Sequence, residues 1–381
     1  MLTLGINAAF HDSAAALIRE GELVAAAEEE RFTRIKHGKR PVPFSAWELP
    51  YHAIDYCLAA AGATLADVDH VAYSYDPTLF PGWPGRGATI ALPMEPSAAP
   101  RDAAATNPWD PLFLAYVMNA PRQLAGGAPH HLRARFAGVR HDGPFRWHFV
   151  EHHRAHEASA YLAAPFERCA TMTLDGRGEH AATTLGVFCH GRHRRLREIR
   201  VPHSLGLLYE DATRWLGFLH SSDEYKVMAL ASYGTPRHRD ELRRIVRSDG
   251  RGRYTVASPD FERRFGPARR RGEPFTALHA DVAASLQATL EDTVLDLARW
   301  LRENTGERDL AMAGGVALNC VMNARLRDSG LFDAVWVQPA AGDAGTALGA
   351  ALLVDFEARG GERRFRMDHA YWGPGFADDA I

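Results

Sequence analysis

Two histidines four residues apart, His152 and His156, stand in the stretch Glu151–Glu179, EHHRAHEASAYLAAPFERCATMTLDGRGE. A helical turn of about 3.6 residues sets i over i+4, so both imidazoles would project from one face. The chain then turns apolar over Thr171–Leu174 and delivers Asp175 on the turn Asp175-Gly176-Arg177-Gly178. Imidazoles at helical spacing with a carboxylate at the end of a buried strand are suitable donors for a divalent metal. Among 19 histidines such a pair also arises as two core side chains, and spacing alone leaves both readings open.

Other residues with chemical potential lie on turns. The first turn of the chain carries Asn7, His11 and Asp12. Gly314-Gly315 breaks an apolar run and leads toward Asn319, and a second glycine turn, QPAAGDAGTALGAAL, has Asp343 at its centre. Paired glycines at a strand-to-helix turn let backbone N–H groups and a helix N-terminus approach a phosphate. Only three of 44 basic residues are lysine, Lys36, Lys39 and Lys226, the last beside Asp223-Glu224. Where arginine is used almost everywhere, a retained lysine marks a place for a compact, strongly hydrated charge, or chance.

The elements that must position these groups are legible as patterns. Leu2–Ile6, Ala14–Ile18 and Leu23–Ala27 read as three strands, with Arg19-Glu20-Gly21 as a hairpin connection. Laid over this opening, Leu174-Asp175-Gly176 falls on Ile6-Asn7-Ala8, and His180-Ala181-Ala182 on Asp12-Ser13-Ala14. Both copies continue through a second strand, a glycine-bearing turn and a third strand, which predicts an internal duplication. The expected fold is α/β and two-lobed, of the ASKHA (actin/sugar-kinase/Hsp70-like) type, built from duplicated RNase H-like lobes whose first turns face a nucleotide cleft. Residues 1–165 are the expected first lobe, with a Pro/Gly-rich insertion at 77–132, and residues 166–365 the second. Helices are predicted over Trp47–Gly62 and Asp281–Glu303, the latter facing inward with Val282, Leu286, Leu290, Val294, Leu297 and Leu301. The basic run Arg263–Arg271 reads as a solvated loop.

Composition excludes several classes. An apolar fraction of 46% with 24% charged residues is that of a globular protein, and a net charge of −3 argues against a general nucleic-acid binder. No apolar run approaches the roughly 20 residues that span a membrane. The opening reads as a strand rather than a leader, so the expected location is cytoplasmic. Cys57, Cys169, Cys189 and Cys320 fit no zinc spacing and are expected to be buried, reduced thiols.

Taken together, LGINAAFHDSAAAL, RIKHGKRPVPF, EHHRAHEASAY with TLDGRGE, LGLLYEDATRWLGF with DEYKVMALASYG, AGGVALNCVMN and QPAAGDAGTALGAAL resemble the NodU/CmcH-type O-carbamoyltransferases. The segments follow the family's order over nearly the whole chain, and the sequence looks closest to members acting on antibiotics and other secondary metabolites. The resemblance implies a two-step reaction. Carbamoyl phosphate and ATP form a carbamoyl-adenylate in a YrdC-like carboxy-terminal domain, and a threonylcarbamoyltransferase-like amino-terminal part moves the carbamoyl group to an acceptor hydroxyl.

Carried over residue by residue, the resemblance places a divalent metal of iron(II) type on His152, His156, Asp175 and Asp343. Gly176, Arg177, Gly206, Gly314, Gly315, Asn319 and Gly345 become candidates for holding the adenylate. His11 or Asp12 is the candidate base, with Lys39, Lys226 and Asp223 as further catalytic candidates and the lysines directed at phosphate or carbamoyl oxygen. The implied partners are a small-molecule alcohol on a sugar or antibiotic-type natural product, the chain's own carboxy-terminal domain or a split counterpart, and a homodimer as candidate assembly. Residues 366–381 resemble the start of the YrdC-like domain, so the remainder of that domain is expected to lie outside this chain. Two competing readings share the expected fold: an ASKHA sugar kinase, whose product would be a phosphate ester rather than a carbamate, and an actin-type nucleotide-binding regulator. Transfer to tRNA, as in threonylcarbamoyl modification, is disfavoured by the net acidity.

Overall fold

A computed structural model describes residues 1–38, 49–80, 110–126 and 145–375. The chain forms two compact units, Met1–Pro165 together with Asp343–Ile381, and Phe166–Gly342.

In the first unit β1 (Leu2–Asn7), β2 (Ala14–Arg19), β3 (Glu22–Glu28), β4 (His70–Tyr73) and β5 (Arg146–Phe149) form one sheet in the order β3-β2-β1-β4-β5. β1 runs antiparallel to β2 and parallel to β4, and β4 runs parallel to β5. Every residue of the central strand β1 is buried, as expected where both faces are covered, whereas β3 alternates between buried and partly exposed positions. Helices Tyr51–Ala60 and Ala344–Ala358 pack on this sheet, and helix His152–Tyr161 packs against the latter.

The second unit repeats the scheme. β6 (Cys169–Leu174), β7 (Ala181–Cys189), β8 (Arg192–Arg200), β11 (Asp309–Ala313) and β12 (Ala334–Val337) follow the order β8-β7-β6-β11-β12, and β9 (Val246–Ser248) with β10 (Tyr254–Val256) forms a separate ribbon. The two meanders even share their hairpin chemistry. Glu20 and Gly21 have φ of 51° and 89°, and His190 and Gly191 have 52° and 66°. Two consecutive left-handed residues give a two-residue turn whose twist matches that of the flanking strands. Two sheets of order 3-2-1-4-5 in one chain constitute the duplicated RNase H-like, ASKHA-type architecture expected from the sequence.

The 29-residue helix Ala277–Thr305 buries all six of the residues expected to face inward, and Gly306, at φ 69°, ends it. The helix predicted over Trp47–Gly62 is observed over Tyr51–Ala60. Lys39 and most of the insertion at 77–132 lie outside the described residues.

Three expectations are corrected. The final helix and the tail belong with the first unit, not the second. The would-be Cβ of Gly349 lies 1.8 Å from Ala155 O, and that of Gly5 lies 1.9 Å from Ala347 O. Backbones this close form one packed body. The tail continues the attachment: Met367 N donates to Ala163 O (2.9 Å), and Ala26 N on β3 donates to Trp372 O (3.1 Å). Second, Arg269 in the basic run is buried, its Nε donating to Leu216 O at 2.6 Å and its guanidinium lying 4.0 Å from the Phe275 ring centre. Backbone carbonyls and an aromatic face replace solvent there. Third, Cys320 is exposed, whereas Cys57 and Cys169 are buried. It directly follows Asn319, the N-cap of helix Cys320–Asp328, which holds its first turn at the surface.

Gly349→Ala tests the helix contact. Relief of glycine's helix penalty is worth about 1 kcal/mol, but a methyl driven into a backbone oxygen costs about 1–3 kcal/mol or more. The variant is expected to unfold at lower denaturant concentration, and an unchanged or higher midpoint would contradict the packing described.

Candidate active site

The first unit assembles a buried cluster from two separate pieces of chain. His152 opens helix His152–Tyr161, His156 sits one turn later, and Asp343 immediately precedes helix Ala344–Ala358. His152 Nδ1 donates to the carbonyl of Ser74 at 3.2 Å, which leaves the Nε2 lone pair directed into the cluster. His152 Nε2 lies 3.2 Å from His156 Nε2 and 3.4 Å from Asp343 Oδ1, and His156 Nε2 lies 3.6 Å from the same oxygen. Ligands about 2.1 Å from a tetrahedral metal ion stand about 3.4 Å apart, so the triangle has the dimensions of a metal-ligand set.

Asp343 supplies an independent sign. Both of its carboxylate oxygens are buried and accept no hydrogen bond among the described residues. A buried carboxylate surrounded by imidazoles and lacking donors fits a cation, and two histidines with one carboxylate is a donor set used for divalent iron.

The first turn of the chain reaches the same place. Asn7 Nδ2 donates to the carbonyls of His11 (2.9 Å) and Asp12 (3.0 Å), shaping the turn from below. His11 Nδ1 meets Asp12 Oδ2 at 2.8 Å, and His11 Nε2 stands 3.7 Å from Asp343 Oδ2. Asp12 Oδ1 in turn meets His37 Nδ1 at 2.7 Å. Burial would raise the Asp12 carboxyl, yet hydrogen bonds from the two histidines hold it far below its ordinary value.

Sequence reasoning missed His37, Ser74 and Thr346. Thr346 Oγ1 lies 2.6 Å from Asp343 O and 2.8 Å from Ser74 Oγ, and Ser74 Oγ donates to Asn7 Oδ1 at 3.1 Å. The Asp343-Ala-Gly-Thr346 spacing is the usable signal for Thr346, since a hydroxyl three residues on can cap the turn. His37 lay within the basic segment read only for its lysines, and nothing near Ser74 in sequence marks it.

The second unit gathers the glycine turns. Asp175 follows β6, and its Oδ1 accepts from Gly315 N at 2.8 Å. Ser204, the N-cap of helix Leu205–Trp215, donates through Oγ to the carbonyl of Gly176 at 2.7 Å. The would-be Cβ of Gly206 lies 2.7 Å from Gly176 Cα, and that of Gly314 (φ 96°) lies 2.2 Å from Leu174 O. Close backbone approach thus explains these glycines. The N–H of Gly314 is spent on Ala341 O (2.8 Å) and that of Gly315 on Asp175, so neither provides the open phosphate cradle expected from the sequence. Asn319 forms a reciprocal amide pair with Gln287, at 2.8 and 3.0 Å. Gly345 belongs to the first unit, on the opening turn of helix Ala344–Ala358.

The family model described as "Carbamoyltransferase N-terminus" matches residues 2–84 and 140–352. The chain belongs to this family. The Sinorhizobium fredii nodulation protein NolNO is 37% identical over 381 residues, covering 98% of this chain and 50% of that protein. A Synechocystis relative, uncharacterized protein sll1178, is 38% identical over 403 residues, covering 99% of this chain and 61% of its own length. This carbamoyltransferase-family chain therefore spans about half to three-fifths of the length of these curated relatives. A solved full-length HypF in a phosphate- and nucleotide-bound form aligns at 14% identity with a TM-score of 0.45, over 93% of this chain and 55% of that one, a likeness too weak to bear on function. No helix among the described residues is long and apolar enough to cross a membrane.

Two more candidates of this family member sit beside helix Leu205–Trp215. Lys226 Nζ pairs with Asp223 at 2.8 Å, and Asp223 Oδ2 also accepts from Leu219 N at 3.1 Å. Nearby, Glu210 accepts from His220 Nδ1 at 2.9 Å and from the Ser221 hydroxyl. Burial would raise Glu210, but these bonds and the Arg177 charge lower it from 4.5 to about 2. A depressed carboxyl stabilises the fold above its unfolded value and loses that contribution as pH falls through the folded one. Wild type should therefore exceed Glu210→Gln in stability at neutral pH, by a margin that shrinks between about pH 4.5 and 2. A margin independent of pH in urea titrations would contradict the assignment.

Proposed function

We propose that this chain is the transfer half of an O-carbamoyltransferase, moving a carbamoyl group from carbamoyl-adenylate to a hydroxyl of a sugar or antibiotic-type small molecule. Family membership supports carbamoyl transfer in general. The observation that carries the site assignment is the buried His152–His156–Asp343 triangle with His11 beside it. His152, His156 and Asp343 would hold a divalent ion, iron(II) by donor type, with Asp175 as the fourth ligand implied by the sequence motif. When bound, that ion supplies Lewis-acid polarisation of the carbamoyl carbonyl and stabilises the charge developing on its oxygen.

The chain's own residues account for the rest. His11 takes the proton of the acceptor hydroxyl on Nε2 while Asp12 holds Nδ1, the division of labour seen in carboxylate–histidine bases generally. The acceptor oxygen bonds to the carbamoyl carbon, the bond from that carbon to the adenylate phosphate oxygen breaks, and AMP departs with the bonding pair. Gly176, Arg177 and Gly206 on the second unit are assigned to the adenylate. Because the Gly314 and Gly315 N–H groups are occupied, we assign these two glycines, with Asn319, to shaping that site, while Arg177 and Lys226 supply charge. Asp223 holds Lys226. ATP and carbamoyl phosphate would be consumed by a YrdC-like part in the same polypeptide or a separate one.

His152→Ala and Asp343→Ala are each expected to reduce bound divalent metal from about one per chain to near none. Transfer from supplied carbamoyl-adenylate should fall with it, by on the order of 100-fold or more. Metal analysis with carbamate product quantification checks both, and full transfer by metal-depleted protein would sink the metal role.

A further inference from the structure

We propose that His37 is a positioning residue: acting through Asp12, it holds the His11 imidazole in the tautomer with its lone pair on Nε2, the nitrogen turned toward Asp343. The inference rests on the role proposed above for His11 and adds the residue that sets its orientation.

Asp12 is shared between two imidazoles, one on each oxygen, with His11 Nδ1 at 2.8 Å and His37 Nδ1 at 2.7 Å. The clasp between Asp12 and His37 is double, because Asp12 N also donates to His37 O at 3.0 Å. His37 is anchored in turn from behind, its N–H donating to Glu30 Oε2 at 2.7 Å. Asp12 and His37 both adopt left-handed backbone, φ 53° and 59°, a conformation that is costly for a non-glycine residue and persists only where surrounding contacts demand it.

Asp12, Glu30 and His37 place ligand atoms within 4.8 Å of one another, which invites a second cation. Their hydrogen bonds argue otherwise. Both Asp12 oxygens and His37 Nδ1 are engaged within the array, and Glu30 meets a backbone N–H, so the group is a chain of donors and acceptors rather than a converging ligand set.

Function follows from the geometry. Neutral imidazole has two tautomers of similar energy, and the partner of one nitrogen decides which is populated. An ionised carboxylate can only accept, so its contact with His11 Nδ1 places the proton there and the lone pair on Nε2. That contact requires the Asp12 carboxylate to keep its rotamer. Held on one oxygen only, it could turn about its side-chain bonds; held on both, it is fixed.

The test uses the full chain carrying His37→Ala, His37→Phe as a second loss variant, and His37→Asn, whose amide can reproduce the Nδ1–H donor. Nitrogen chemical shifts of the His11 ring, read by NMR after chelation of paramagnetic metal, report the tautomer independently of activity. Wild type and His37→Asn should show the Nδ1-protonated form, and His37→Ala and His37→Phe a mixture. With supplied carbamoyl-adenylate, kcat should fall about 10- to 100-fold in the two loss variants, with acceptor KM changed less than about twofold and recovery in His37→Asn. An unchanged His11 tautomer in a folded loss variant overturns the proposal. A tautomer change in protein that transfers no carbamoyl group, wild type included, supports the positioning role and removes instead the functional reading on which it rests.

Discussion

The backbone oxygen of Ala155 lies where the side chain of any residue but glycine would stand at 349, and the candidate metal centre depends on that contact. It locks helix His152–Tyr161 against helix Ala344–Ala358, and each helix contributes ligands from its opening end. The distances of 3.4 and 3.6 Å from the two imidazoles to Asp343 are set by how closely the helices approach, since none of these residues is near the other helix in sequence. Gly5 repeats the device on β1, whose end carries Asn7 and the first turn with His11 and Asp12. Small residues thus bring three chain segments together at one point, within a core that tolerates little displacement.

Electrostatics then defines what that point can do. A carboxylate buried at Asp343 without hydrogen-bond donors among the described residues would be costly, and a cation shared with the His152 and His156 lone pairs would offset the cost. Ser74 and Thr346 hold the ligands rather than approach them: the Ser74 carbonyl sets the His152 tautomer, and Thr346 ties the Asp343 backbone to Ser74. Two histidines and a carboxylate held in this way form a candidate ligand set for a divalent ion.

The second unit shows the same topology put to another use. Where the first unit packs helix against helix, this one packs turn against turn: Gly206 on Gly176 and Gly314 on Leu174. The N–H groups of Gly314 and Gly315 are satisfied internally, by Ala341 O and by Asp175. Asp175 stands on the second unit at the position equivalent to Asn7 on the first, each at the end of the central strand of its sheet. One copy of the duplicated turn thus carries a carboxylate and the other a carboxamide that shapes the loop of the candidate base.

Much of this was legible without coordinates because it is periodic or local. The two meanders, the inward face of helix Ala277–Thr305, the histidine pair on one helical face and the glycine turns all follow from alternation, 3.6-residue spacing and turn chemistry, which act over a few residues. Tertiary structure alone decided what depends on distant segments. It assigned helix Ala344–Ala358 to the first unit, because only packing reveals a glycine fitted to Ala155. It occupied the Gly314 and Gly315 N–H groups, because their acceptors come from Ala341 and Asp175. It buried Arg269, whose Nε donates to the carbonyl of Leu216, 53 residues away. It also joined His37 to Asp12 across 25 residues, giving the candidate base a support that no local pattern marks.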